Sequence, residues 1–119
     1  MALGVADAGG VAIQRPVADG GDGTLDVLIA AAGPTAARAE LEVTGPLGNR
    51  VLARLGWLRP GEAVVEMAEA AGLRRLPGTP DALHATSFGA GELIAAALDS
   101  GATRIVVGVG GSATTDGGA

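Results

Sequence analysis

Residues 104–119, RIVVGVGGSATTDGGA, decide how this chain is read. Arg104-Ile105-Val106-Val107-Gly108 is a run of β-branched residues without polar alternation. It predicts a strand over 103–109 that is apolar on both faces, as in a parallel sheet covered by helices. Behind it, Gly108 to Gly118 is a loop of glycine, serine, threonine and aspartate. Open α/β sheets hold ligands beyond the carboxyl ends of such strands. Gly108 to Ala113 formally matches G-x-G-x-x-A, but no helix follows to complete a dinucleotide unit. The Ser/Thr/Asp content suits phosphate and metal better than a ribose.

Working outward, Ser87 to Leu98 reads as a helix with Leu93, Ile94, Ala97 and Leu98 on one face, and Gly101 falls where a left-handed C-terminal cap belongs. Near the other end, Leu25, Leu28, Ile29 and Ala32 recur at helical spacing over Thr24 to Ala32. Asp22 or Thr24 can cap that helix and Gly33-Pro34 stops it. Upstream, Gly9-Gly10 is a turn, and Val11-Ala12-Ile13 reads as a short strand, carried through Pro16-Val17 only at a sheet edge. The middle changes period. Leu41 and Val43 alternate with Glu40, Glu42 and Thr44, and Val51, Ala53, Leu55 and Trp57 form the partner run across Gly45–Asn49. Ala63-Val64-Val65 starts a third strand of an antiparallel meander. Glu66 to Ala71 is a short helix stopped by Gly72, and Leu73 to Leu83 is connecting loop. The fold class is α/β, with residues 1–36 and 86–119 as parts of one α/β domain and 37–85 as a small β-rich α+β domain.

Composition bounds the chemistry. A chain of 119 residues holds one domain or parts of two. With no cysteine, it has no thiol nucleophile, Cys-ligated metal or disulfide. A net charge of −5 argues against binding nucleic acid or anionic lipid. All eight basic residues are arginine, so a Walker A lysine is absent. There is no basic, apolar export signal, and the longest apolar stretch, Leu25 to Ala32, is broken by Asp26. A soluble, cytoplasmic protein without membrane partners is expected.

Three segments could carry chemistry. In Asp19-Gly20-Gly21-Asp22-Gly23-Thr24, glycines at a strand-to-helix turn allow backbone amides to point at an anion, and the helix start adds positive potential. The two aspartates repel a bare anion; they fit a divalent cation bridging to phosphate, or a carboxylate orienting a hydroxyl, unless they simply cap a turn. The closing loop repeats the theme with Gly108, Gly110, Gly111, Ser112, Thr114 and Asp116. Thr86, Ser87, Gly89 and Gly91 at a helix start form either an anion site or a capped helix with Glu92 in its first turn. His84 reads as solvated, Trp57 as core, and Glu66 and Glu69 as helix-start or surface residues, a place near substrate being the minor reading. Arg74-Arg75 reads as a solvated face that could also grip an acid or phosphate.

Taken in order, PVADGGDGT, VTGPLG, VVEMAEAAGL, TSFGAGELI with its AL and SGA continuation, and IVVGVGGSATTDGGA closely resemble the bacterial-type glycerate kinases from Pro16 to Ala119. The resemblance implies a Rossmann-like domain with a smaller α+β domain, ATP and Mg²⁺ as cofactors, and a cleft at Asp19 to Thr24 and Gly108 to Asp116. Asp22 stands where the family often has Glu, and Ala85 and Ala90 stand where it has threonines. Nothing in residues 1–15 matches the family's opening strand and its Pro-Asp-Ser-Phe-Lys-like loop. The family also continues past the DGGA segment, so the expectation is a fragment, inactive alone. Asp19, Asp22 and Asp116 are the candidate catalytic carboxylates, with Asp19 and Asp116 as candidate metal ligands. Glycerate and ATP are the expected partners, and exposed sheet edges favour association. The alternatives are a non-catalytic nucleotide- or anion-binding module completed by a partner, and the nucleotide domain of an oxidoreductase.

Overall fold

The computed structural model describes residues 1–118. Its elements are α1 (Ala2–Asp7), α2 (Thr24–Ala32), β1 (Ala37–Thr44), β2 (Arg50–Arg59), β3 (Glu62–Glu66), α3 (Met67–Ala71), α4 (Phe88–Asp99) and β4 (Arg104–Gly108), with 3-10 turns at Gly33–Thr35 and Leu73–Arg75. The strands form one sheet in the order β1-β2-β3-β4. β1 and β2 are antiparallel, as are β2 and β3, whereas β3 and β4 run parallel. The register places Leu41 opposite Ala53 and Val43 opposite Val51, which keeps the apolar sets of β1 and β2 on one face.

β3 is buried along its whole length because both faces of the sheet are covered there. Ala63 and Val65 join Val43, Ala53, Leu55, Ala70, Leu93 and Ala97 on the side of α3 and α4. Val64 points the other way, against Leu25 and Ile29 of α2. Three layers result, and the unbroken apolar run of β3 is their sequence trace. Leu25 and Leu93 are each 0% exposed. Burial on that scale stabilises by roughly 1.5–3 kcal/mol per side chain. Trp57 packs half-buried against the larger cluster. At the end of α4, Ala102 N–H donates to Ala97 C=O and Gly101 N–H to Leu98 C=O, the two bonds of a Schellman cap.

Two readings are corrected. Val11-Ala12-Ile13 is not a strand: residues 10–19 hold no helix or strand, and Val11 and Ile13 are 92% and 78% exposed. Set between Gly9-Gly10 and Pro16, this short run finds no sheet edge to join. The helix upstream, α1, buries none of its residues. The second correction concerns β4, which is the sheet's edge strand and only partly covered: Ile105 packs against the larger cluster and Val106 toward α2, but Val107 is 39% exposed. β1 to β3 and β4 share one sheet, so β3 pairs with segments on either side of residue 85. Among the described residues, no helix is long and apolar enough to cross a membrane.

Candidate functional site

Parallel pairing sets Glu66 opposite Gly108, so β3 and β4 end at the same edge of the sheet. The two glycine loops meet there, backbone against backbone. Gly110 N–H donates to Gly20 C=O at 2.7 Å. A Cβ on Gly108 would stand 2.9 Å from the Gly20 oxygen, and one on Gly110 would stand 2.7 Å from the Gly21 nitrogen. Side chains at these positions would push the loops apart. The closing loop is also sewn to the chain after α3: Leu73 N–H donates to Gly111 C=O at 3.0 Å, and Ala113 N–H to Ala71 C=O at 2.8 Å.

Glu66, fully buried at the end of β3, accepts hydrogen bonds from Gly23 N–H at 3.0 Å and Leu25 N–H at 2.9 Å. It therefore caps α2 from a different element. Neither Asp22 nor Thr24 caps that helix with its side chain, contrary to the sequence reading. Thr24 Oγ1 instead accepts from Gly20 N–H at 3.0 Å, Asp19 Oδ1 accepts from Gly21 N–H at 2.9 Å, and Thr24 N–H donates to Gly21 C=O. The amides of Gly20, Gly21, Gly23 and Thr24 are thus bonded within the chain, and the carboxylate at the α2 N-terminus is that of Glu66.

The start of α4 is filled in the same manner. Asp116 Oδ2 accepts from Ser87 N–H at 2.6 Å and from Ser87 Oγ at 3.0 Å, while Oδ1 accepts from Gly118 N–H at 3.3 Å. The Ser87 amide, above all, holds the Asp116 carboxyl down at about 2. Thr86 Oγ1 accepts from Phe88 N–H, and a Cβ on Gly89 would overlap the Thr44 carbonyl oxygen, so packing demands that glycine. Gly91 faces open space. At the helix start formed by Thr86, Ser87, Gly89 and Gly91, an internal carboxylate, Asp116, meets Ser87. Ser112 and Thr114 bond to each other through their hydroxyls at 3.0 Å.

Of the predicted residues, the structure brings Asp19, Asp22 and Gly20 to Gly23 together with Gly108 to Gly111, and bonds Asp116 of the closing loop to Ser87 at the start of α4. Asp19 is exposed beside the loop junction. Among the described residues, no group of three or more His, Asp or Glu side chains could hold a metal. Asp116 already accepts hydrogen bonds on both oxygens, from Ser87 and Gly118. Asp22 is gripped by Arg74, whose Nε and Nη2 donate to Oδ1 at 2.9 and 2.5 Å. Glu69 is buried under Arg54, which also reaches Asp26. The Glu69 hydrogen bond raises the Arg54 guanidinium above its ordinary value. His84 is solvated, as expected, beside Asp81.

Sequence reasoning missed Glu66, Glu69 and Arg74 as organising residues. The available signal was a carboxylate closing an otherwise apolar strand, Ala63-Val64-Val65-Glu66. Its partners stand 43 and 41 positions away, beyond the reach of periodicity.

The glycerate kinase family model matches residues 1–119, including the stretch before Pro16 that showed no motif. The glycerate 2-kinase of Escherichia coli (strain K12) is 53% identical over 109 residues, covering 90% of this chain and 28% of the relative. The glycerate kinase of Bacillus subtilis (strain 168) is 51% identical over 109 residues, with 89% and 28% covered. A crystal structure assigned as glycerate kinase 2 from Salmonella typhimurium LT2 superposes with a TM-score of 0.78 at 45% identity, covering 92% of this chain and 30% of that one. The chain spans about 28% of the length of the curated relatives it matches. The match along its whole length, with the likeness in fold, means that this chain belongs to the glycerate kinase family.

Proposed function

We propose that this chain supplies one wall of a phosphoryl-transfer cleft in which ATP phosphorylates glycerate to phosphoglycerate. The observation that carries the reading is the junction of the two glycine loops at the carboxyl ends of the parallel pair β3 and β4, with the exposed Asp19 beside it. Phosphoryl transfer asks a protein chiefly for positioning and charge neutralisation. Asp19, oriented by Gly21 N–H, holds the acceptor hydroxyl and takes its proton as that oxygen bonds to the γ-phosphorus of ATP, the bond from that phosphorus to the β-phosphate oxygen breaks and ADP leaves. The Ser112 and Thr114 hydroxyls border the phosphate side. Asp116 holds the closing loop onto α4 and acts by positioning.

Mg²⁺, when bound, neutralises charge on the transferring phosphoryl group. Such an ion is commonly held by one or two carboxylates and the substrate phosphates, a donor set that Asp19 fits. The rest of the cleft lies in the remaining length of the family, and the 119-residue chain alone forms no phosphoglycerate.

The test is a chimera in which residues 1–119 replace the matching portion of the Escherichia coli enzyme, assayed for ATP-dependent phosphoglycerate formation. We expect turnover, reduced about 100-fold or more by Asp19→Asn. A folded chimera without activity would refute the kinase reading, and an unimpaired D19N chimera would remove Asp19 from its role.

A further inference from the structure

We infer that Arg74 is the residue that recognises the carboxylate of the acceptor acid, an inference that rests on the reading above. An acid substrate entering this site meets Asp19 and Asp22 in a chain of net charge −5. Without a cation it would be repelled. The chain has no lysine, so the strong cations it can itself offer are arginines.

Beside the loops lies a cavity of about 320 Å³ lined by Arg54, Ala68, Glu69, Arg74 and Arg75. Two of these arginines are committed. Arg54 is clamped by Glu69 and Asp26, and Arg75 donates to Leu52 C=O at 2.8 Å and lies 3.5 Å from Glu69. Arg74 differs in its mounting and its partner. The turn that carries it is tied to the closing loop through Leu73 and Gly111, whereas its partner Asp22 belongs to the first loop. The two loops are close here as well, since a Cβ on Gly111 would lie 3.4 Å from Asp22 Oδ2.

Arg74 directs Nε and Nη2, the edge that takes a carboxylate as a fork, onto a single oxygen of Asp22. The Asp22 side chain thus stands in for an external carboxylate. Its side chain and that of Arg74 are 33% and 68% exposed, and exposed ion pairs contribute little. An incoming carboxylate can exchange with Asp22, leaving it free at the mouth of the cleft.

The experiment is a titration of the ¹⁵N-labelled 119-residue chain with glycerate, neutral glycerol and inorganic phosphate, followed by NMR. Glycerate is expected to shift the Arg74 Nε–H and the amides of Gly23 and Gly111, and glycerol is expected to leave them in place. Arg74→Gln should weaken glycerate binding about tenfold or more with the rest of the spectrum retained. Asp22→Asn, which removes the competitor, should tighten it severalfold, a gain that a merely structural role would not produce. Wild-type affinity in R74Q, unchanged affinity in D22N, or a response of Arg74 to phosphate and not to glycerate would each overturn the inference while leaving the kinase reading intact. Absence of any glycerate-dependent shift also overturns it, and the chimera's turnover then judges the kinase reading separately.

Discussion

Glu66 shows how one side chain can join sequence-distant parts of a site. It ends the central strand, its carboxylate is wholly buried, and it binds two amides of the helix start behind the first glycine loop. Hydrogen bonds to a charged group contribute more than neutral ones, and a buried amide left without an acceptor is destabilising. Glu66→Ala is therefore expected to lower unfolding stability by about 3 kcal/mol, read from urea denaturation followed by circular dichroism. Loss of less than about 0.5 kcal/mol, the range of an ordinary surface change, would mean that Glu66 does not secure α2.

The behaviour of α4 as an element depends on what holds each end. Its C-terminal bonds are local, made by Gly101 and Ala102. Its N-terminus is held by Asp116, from beyond β4. The carboxyl of Asp116 is depressed to about 2, so its stabilising contribution is present above the ordinary carboxyl range near 3.8 and fades as pH falls through about 2. Asp116→Asn should lower the urea midpoint at pH 7, and the gap to the parent should close between about pH 4 and pH 2. A gap of constant size down to pH 2 would show that the charge of Asp116 does not hold the helix.

The two edges of the sheet differ across the whole molecule. β1 exposes Arg38, Glu40 and Glu42, charges of the kind that blunt an edge against pairing. β4 exposes Val107, and beyond it Phe88, Leu98 and Val109 are also exposed. Unpaired backbone along an apolar edge favours self-association, so sedimentation of the chain is expected to show a concentration-dependent oligomer. Val107→Lys should shift that equilibrium toward monomer. A parent chain that remains monomeric at high concentration would show that the β4 edge is inert.

Periodicity along the chain made the elements legible: α2, the meander, α4 and β4 were all read from apolar spacing, and α3 from the run before Gly72. Local geometry is encoded by neighbours, which is why the Gly101 cap was visible as well. The same local view erred at Val11-Ala12-Ile13, because a strand needs a pairing edge that no short run contains. It also could not name the carboxylates that meet the two helix starts. Amides call for a negative partner, but Glu66 and Asp116 reach them only after β3 and the closing loop have folded back from 43 and 29 positions away. Residue chemistry alone therefore marked where charge would gather. Which carboxylate answers which amide, and which arginine keeps an exchangeable partner, follows from chain crossings that bring distant groups within hydrogen-bond reach.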